Sequence, residues 1–209
     1  MFIGEVDMNN ILYTIGYSGY TIDEFLNELK SNMINVLIDV RSSTYSKYYP
    51  DYNSSTLENF LSKHDIYYRT YSSEFGARQN NPSFYSSDGI LDFEKFSKSE
   101  QFQSGVQKIR DSLNKNYKVA LMCAEKNPTQ CHRAILVSRK FADLGYEIIH
   151  LMPDGETKNQ KQIENELLNT FFPDRNQLDL FSPPASDEEN IIKAYKLQNK
   201  KIGYKMEET

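Results

Sequence analysis

Apolar positions along the chain follow two rhythms. Short runs rich in β-branched and aromatic residues read as strands: Ile11 to Ile15 (ILYTI), Val36 to Val40 (VLIDV), Ile66 to Tyr71 (IYYRTY), Val119 to Cys123 (VALMC) and Ile148 to Leu151 (IIHL). Between them the spacing turns helical. Thr21 to Lys30 puts Ile22, Phe25, Leu26 and Leu29 on one face, behind a Thr N-cap with Glu24 three positions on. Ser55 to His64 repeats this with Leu57, Phe60 and Leu61. One or two helices are expected in Phe93 to Leu113, another from Cys131 to Leu144 ended by Gly145, and a last strong one from Glu156 to Phe171. Strands alternating with helices predict a single α/β domain with a mostly parallel, five-stranded sheet covered on both faces, a Rossmann-like three-layer arrangement. VLIDV and VALMC lack clean alternation, as strands buried on both faces should. The polar loop Arg78 to Gly89 is long enough to serve a function.

After Phe172 the pattern breaks. PDRNQLDLFSPPASDEEN is rich in proline and charge, and the rest of the chain carries few apolar anchors. A domain over residues 1–172 followed by a tail over 173–209 is therefore expected. The length of 209 residues suits one domain, and the 39% hydrophobic and 25% charged fractions suit an ordinary globular protein. Fifteen Tyr and twelve Phe without a Trp read as compositional drift. A net charge of −5 excludes a global basic field while leaving room for a local basic cleft. No run approaches the roughly 20 apolar residues of a membrane span, and MFIGEVDMNN lacks a signal-peptide pattern, so a cytoplasmic location is expected. Two cysteines make no disulfide scaffold; in a reducing compartment they point to catalysis, redox chemistry or a metal, or else to small buried hydrophobes.

In a parallel sheet the residues just after each strand gather on one edge, where ligands bind. Those positions are Gly16, Tyr17 and Ser18 after the first strand, Asp39 and Arg41 at the second, Glu74 to Arg78 after the third, Cys123 to Arg133 after the fourth, and His150 and Asp154 at the fifth. The fourth segment, LMCAEKNPTQCHR, holds both cysteines beside His132 and Arg133. A helix opening at Cys131 favours an anion and a lowered thiol pKa. The segment therefore reads as an anion-binding or nucleophilic site. Two readings compete: ordinary packing of both cysteines, and zinc held by Cys123, Cys131 and His132, with His150 as a further candidate ligand. No other cofactor is expected.

CAEKNPTQCHR resembles the CAE-x-x-P-x-x-CHR signature of the bacterial and archaeal domain of unknown function family number 488. TIGYSG, VLIDVRSSTYSKYYPDYN, EFGAR and HLMPDG agree with that family's blocks in order, over about residues 11 to 170. The resemblance implies an α/β domain whose shared polar residues map onto Gly16, Ser18, Asp39, Arg41, Ser46, Pro50, Cys123, Glu125, Cys131, His132, Arg133, His150 and Gly155; it implies no particular reaction. Lys47 stands where a basic residue, often Arg, is usual, and Ala77 replaces a glycine beside Arg78.

Asp39 and Arg41, two apart on a strand, share a face, either to present a guanidinium fork to an anion or as a structural ion pair. Glu125 reads as a general base or as a partner for Arg133, and His150 as a core histidine. Tyr17, Tyr45 and Tyr48 offer stacking faces, and Tyr45 to Tyr49 with Arg69, Arg78 and Arg133 would make a basic, aromatic mouth. In the tail, Gln177, Leu178, Asp179, Leu180 and Phe181 (QLDLF) resemble the bacterial sliding-clamp-binding pentapeptide, an extended peptide whose last two residues fill an apolar pocket. Taken together these features predict an enzyme of nucleic-acid or nucleotide metabolism, associated with repair or modification and with its reaction class open. Cys123, Glu125, Cys131 and His132 are the expected catalytic group, and Gly16, Tyr17, Ser18, Asp39, Arg41, Ser46, Lys47, Arg78 and Arg133 the expected binders of a phosphorylated small molecule or nucleic acid. The alternative is a non-catalytic module that recognises a phosphorylated ligand or a DNA-associated protein.

Overall fold

A computed structural model describes residues 10–175 and 186–206. Its centre is a six-stranded sheet in the order β3-β2-β4-β1-β5-β6, built from β1 (Ile11–Gly16), β2 (Val36–Asp39), β3 (Tyr67–Thr70), β4 (Val119–Cys123), β5 (Glu147–Leu151) and β6 (Thr157–Asn159). The first five strands run parallel, as expected. The sixth is a correction. Residues Thr157–Asn159, expected to lie in the last strong helix, instead pair antiparallel with β5, and that helix starts only at Gln160. Asn159 and Gln162 form its capping box, so the chain enters the helix three residues later than apolar spacing suggests.

β4 sends Val119, Leu121 and Cys123 into one apolar layer and Ala120 and Met122 into the other, so a run that looks uniformly apolar is period-two burial on two faces. α1 (Ile22–Ser31) and α2 (Ser54–Ser62) cover one face through Phe25, Leu26, Leu29, Leu57 and Leu61. The capping box read from Thr21 and Glu24 is present. After the short α3 (Ser72–Phe75), the stretch 93–114 forms two helices, α4 (Phe93–Ser97) and α5 (Glu100–Asn114). The opposite face is covered by α5, by a π-helical turn (Arg133–Ser138) running into α6 (Arg139–Asp143), and by α7 (Gln160–Phe171). Gly145 follows α6 with a φ of +88°, as a C-terminal stop.

The segment beyond Phe172, expected as a tail, contains α8 (Asp187–Ile202), whose Ala194 and Tyr195 are buried in the same layer as α7. No helix among the described residues is long and apolar enough to cross a membrane.

The connections out of β1 and β2 cross one face, whereas the helices that follow β4 cross the other. β4 lies between β1 and β2 in the sheet. Its carboxyl end is therefore a topological switch point, where loops diverge and leave a crevice.

Candidate functional site

The crevice is a cavity of about 420 Å³ lined by residues from five segments, among them Tyr17, Arg41, Ser42, Arg78, Cys123 and Tyr204. Its floor is set by backbone. Tyr17 and Ser18 donate N–H bonds to the carbonyls of Cys123 and Ala124, carrying the β1–β4 pairing past the strand ends. Gly16 lies under the next turn. A Cβ there would sit 1.9 Å from the carbonyl oxygen of Glu125 and 3.0 Å from Nη1 of Arg133, so only glycine lets the loop after β4 fold this closely.

That loop carries a tight polar cluster. Oε2 of Glu125 lies 3.0 Å from Sγ of Cys123 and 2.9 Å from Sγ of Cys131. Nδ1 of His132 is 3.9 Å from Cys123 Sγ, and its Nε2–H donates to the Val40 carbonyl at 2.9 Å, which fixes the ring. Arg133 is fully buried below; Nη1 and Nη2 donate to the carbonyls of Glu125 and Lys126 at 2.5 and 3.2 Å and brace the loop from inside. No carboxylate pairs with Arg133 among the described residues, and its Nε has no hydrogen-bond partner.

These groups compete for protons. Burial pushes the Cys123 thiol up, and its hydrogen bond to Cys131 adds to that. Burial would also raise Cys131, but the Cys123 hydrogen bond, the Arg133 charge and His132 outweigh it and hold Cys131 well below the usual thiol value. Burial would lower His132, yet its bond and charge interaction with Cys131 carry it above its usual range. Burial, then the charge of Cys131, raises Glu125. Cys131 is thus the more acidic of the two thiols, and it lies beside an imidazole and a carboxyl group that both hold their protons more tightly than usual. Cys123, Cys131 and His132 offer ligand atoms within 4.8 Å of one another, a group that could hold a metal.

Across the cavity stand the guanidiniums. Arg41 is held by Asp39 through Nε at 2.9 Å and Nη2 at 2.6 Å, and Nη2 also reaches the Tyr52 carbonyl. Tyr68 donates to the same carboxylate at 2.6 Å. Asp39 is fully buried and lies behind the cavity, so of the two sequence readings for this pair its own role is that of a structural anchor. Arg41 packs its guanidinium near the ring of Tyr17, which stacks on Tyr52 at 4.3 Å. Arg78 lies over the ring of Tyr204, and its backbone N–H donates to Ser42 Oγ.

The expected site residues divide accordingly. Tyr17, Arg41, Ser46, Arg78, Cys123, Glu125 and His132 line one cavity. Cys131 and Arg133 lie beneath it, and Gly16 and Ser18 form its backbone floor. Lys47 is exposed over the Tyr48 ring, away from the lining. The expected mouth needs two corrections: Arg133 is buried instead of exposed, and Arg69 turns to Glu58 and the Tyr68 carbonyl because its strand is at the sheet edge. His150 is a core residue bonded to Thr14 and Gln160. Residues 177–181 lie outside the described residues. Sequence reasoning missed Ser42, Ser43, Ile202 and Tyr204, whereas Gln130 falls in the expected Cys123-to-Arg133 rim segment. Ser42 was within reach, since it directly follows Arg41 at a strand end. Tyr204 becomes a lining residue only through the docking of α8.

A model of the family described as "Domain of unknown function DUF488" matches residues 21–139, more than half of the chain. The matched span includes Asp39, Arg41, Ser46, Arg78 and the whole Cys123-to-Arg133 segment. No curated protein and no solved structure matches the chain. With its signature residues gathered around one crevice, the chain belongs to the DUF488 family, a domain of unknown function.

Proposed function

We propose that this protein is an enzyme of nucleic-acid or nucleotide metabolism that binds a phosphoryl group of its substrate in the crevice and acts on it with the Cys123–Glu125–Cys131–His132 cluster. One observation carries the reading: two guanidiniums and the hydroxyls of Ser42, Ser43 and Ser46 share a single cavity with Cys123, Glu125 and His132 of that cluster. A volume of about 420 Å³ is of the size that takes a small ligand. Guanidinium forks and hydroxyls are the donors a phosphoryl oxygen needs, and Tyr17 and Tyr45 add aromatic faces for a base or sugar. Arg41 is pre-oriented by Asp39, so little ordering remains when an anion arrives.

The test is calorimetric titration of the protein with inorganic phosphate and a 5′-nucleoside monophosphate. Arg78→Ala, which removes one charged donor without touching the core, should weaken binding about 10–100-fold, as loss of a charge-assisted hydrogen bond does. Equal affinity in wild type and variant would overturn the phosphate reading.

The proposal extends to a protein partner. Gln177 to Phe181 would dock in extended form on a bacterial-type sliding clamp and bring the enzyme to DNA. Clamp pull-down should be lost when Leu180 and Phe181 are both replaced by Ala; undiminished recovery would refute the recruitment.

A further inference from the structure

We propose that Cys123, Cys131, His132 and Glu125 form a zinc centre at the floor of the crevice. The inference rests on the phosphate-pocket reading for its use, but its own grounds are independent of that reading. A tetrahedral zinc with Zn–S near 2.3 Å and Zn–N or Zn–O near 2.0–2.2 Å needs neighbouring donor atoms roughly 3.3–3.8 Å apart. The two sulfurs and the imidazole nitrogen already lie within 4.8 Å of one another, and Glu125 Oε2 lies about 3 Å from both sulfurs. Small side-chain adjustments bring the two sulfurs and the imidazole nitrogen onto one ion, and Glu125, which stands close to the sulfurs only, would turn its carboxylate to complete the fourth position.

The surroundings support a metal more specifically than proximity does. His132 donates its Nε2–H to the Val40 carbonyl, which fixes the tautomer and aims Nδ1 at the thiols; metal-bound histidines are oriented by such a second bond. Cys123 ends a central strand, Cys131 and His132 open a helix, and the Glu125 turn is braced by Arg133 and closed on Gly16, so the donors stand on rigid backbone. Charge also balances. Arg133 is buried without a carboxylate partner among the described residues. Two thiolates and one carboxylate carry three negative charges, which a divalent ion together with Arg133 neutralises. Two sulfurs and one imidazole are a soft donor set, suited to zinc and unsuited to magnesium or calcium.

Cys123, Glu125 and His132 face the cavity, whereas Cys131 lies behind it. The ion would therefore be reached from the substrate side. Glu125 lines the cavity on a loop whose outer face meets solvent while its carboxyl is partly buried against the thiols. It is the ligand that can yield its place to a phosphoryl oxygen, making the centre one with an exchangeable fourth position.

The experiment uses the full chain, produced without a metal-chelating tag and kept reduced. Elemental analysis should find stoichiometric zinc, and apo-protein should take zinc from a chromogenic chelator. Cys123→Ser, Cys131→Ser and His132→Ala should each weaken zinc affinity by more than the roughly 10–100-fold that loss of a second-shell partner costs. Since these variants are candidates for misfolding, the wild type is also loaded with cobalt(II), which should show thiolate-to-metal charge-transfer absorption and the visible bands of a tetrahedral ion. Arg78→Ala should keep its zinc, so failure of the phosphate reading leaves this result unchanged and failure of the zinc reading leaves the phosphate titration unchanged. Apo-protein that takes no zinc from the chelator, cobalt without thiolate absorption, or zinc uptake unaltered in the Cys123→Ser/Cys131→Ser double variant would each overturn the proposal.

Discussion

At Gly16 the chain has no room for a side chain, because a Cβ would collide with the carbonyl of Glu125. Gly16→Ala should therefore push the loop after β4 away from β1, costing about 1–3 kcal/mol as overpacking does and pulling Glu125 off the thiols. Chemical denaturation would show the first effect and a loss of phosphate or zinc binding the second; a variant with unchanged stability would mean that the loop is not clamped there. Asp39 and Arg78 make a sharper contrast. Asp39→Ala strands a buried guanidinium and should cost about 3–5 kcal/mol, whereas Arg78→Ala, at the cavity wall, should stay within about 0.5 kcal/mol of wild type and lose ligand instead. If denaturation midpoints of the two variants coincide, the division between anchor and binder is wrong. The LMCAEKNPTQCHR segment announced a cluster through its residue types alone. That Arg133 lies beneath the cluster and not at the mouth was not legible, because a helix start fixes the backbone direction but not which side of the loop a long side chain takes.

Among the elements, the junction of β1, β5 and α7 around His150 carries a pH dependence of its own. Burial, then the positive charge of Arg133, lowers its pKa to about 3. Thr14 bonds Nδ1, and Gln160, itself bonded to Ala134 and Tyr195, accepts from Nε2. The unfolded histidine titrates near 6.5, so between that value and about 3 the unfolded chain binds the extra proton. The contribution is complete above about pH 6.5 and is lost as pH falls, by about 2 kcal/mol between pH 6.5 and 5. Denaturant midpoints measured across that range should drop, and His150→Gln should remove that part of the slope; an identical slope in the variant would exclude His150 as its source. Most elements were legible because apolar spacing is a direct consequence of burial, from which all five parallel strands follow, while the Thr21–Glu24 cap was legible from its polar residue types at capping-box spacing. β6 was not, since Thr157–Asn159 is an exposed edge strand without an apolar pattern. α8 was under-read for the opposite reason. Its contacts at Ala194, Tyr195 and Ile202 keep helical spacing, but the polar residues between them outweigh it.

For the molecule as a whole, the order β3-β2-β4-β1-β5-β6 does the positioning. By inserting β4 between β1 and β2, the fold brings the thiol segment of one connection against the guanidinium of another, and α8 delivers Tyr204 to the far wall beside Arg78. The sequence made the sheet edge predictable from strand direction, but it did not supply the closure contributed by α8, a contact between residues far apart in the chain. The central claim is that the crevice receives the phosphoryl group. Its most direct test is a crystal structure of the protein soaked in tungstate, a phosphate mimic located by anomalous scattering. The account predicts one strong site within hydrogen-bonding reach of Arg41, Arg78 and the Ser42–Ser43 hydroxyls, next to Cys123. Tungstate absent there, or held only in the separate groove lined by Lys98, Arg139, Lys140 and Lys196, would contradict it.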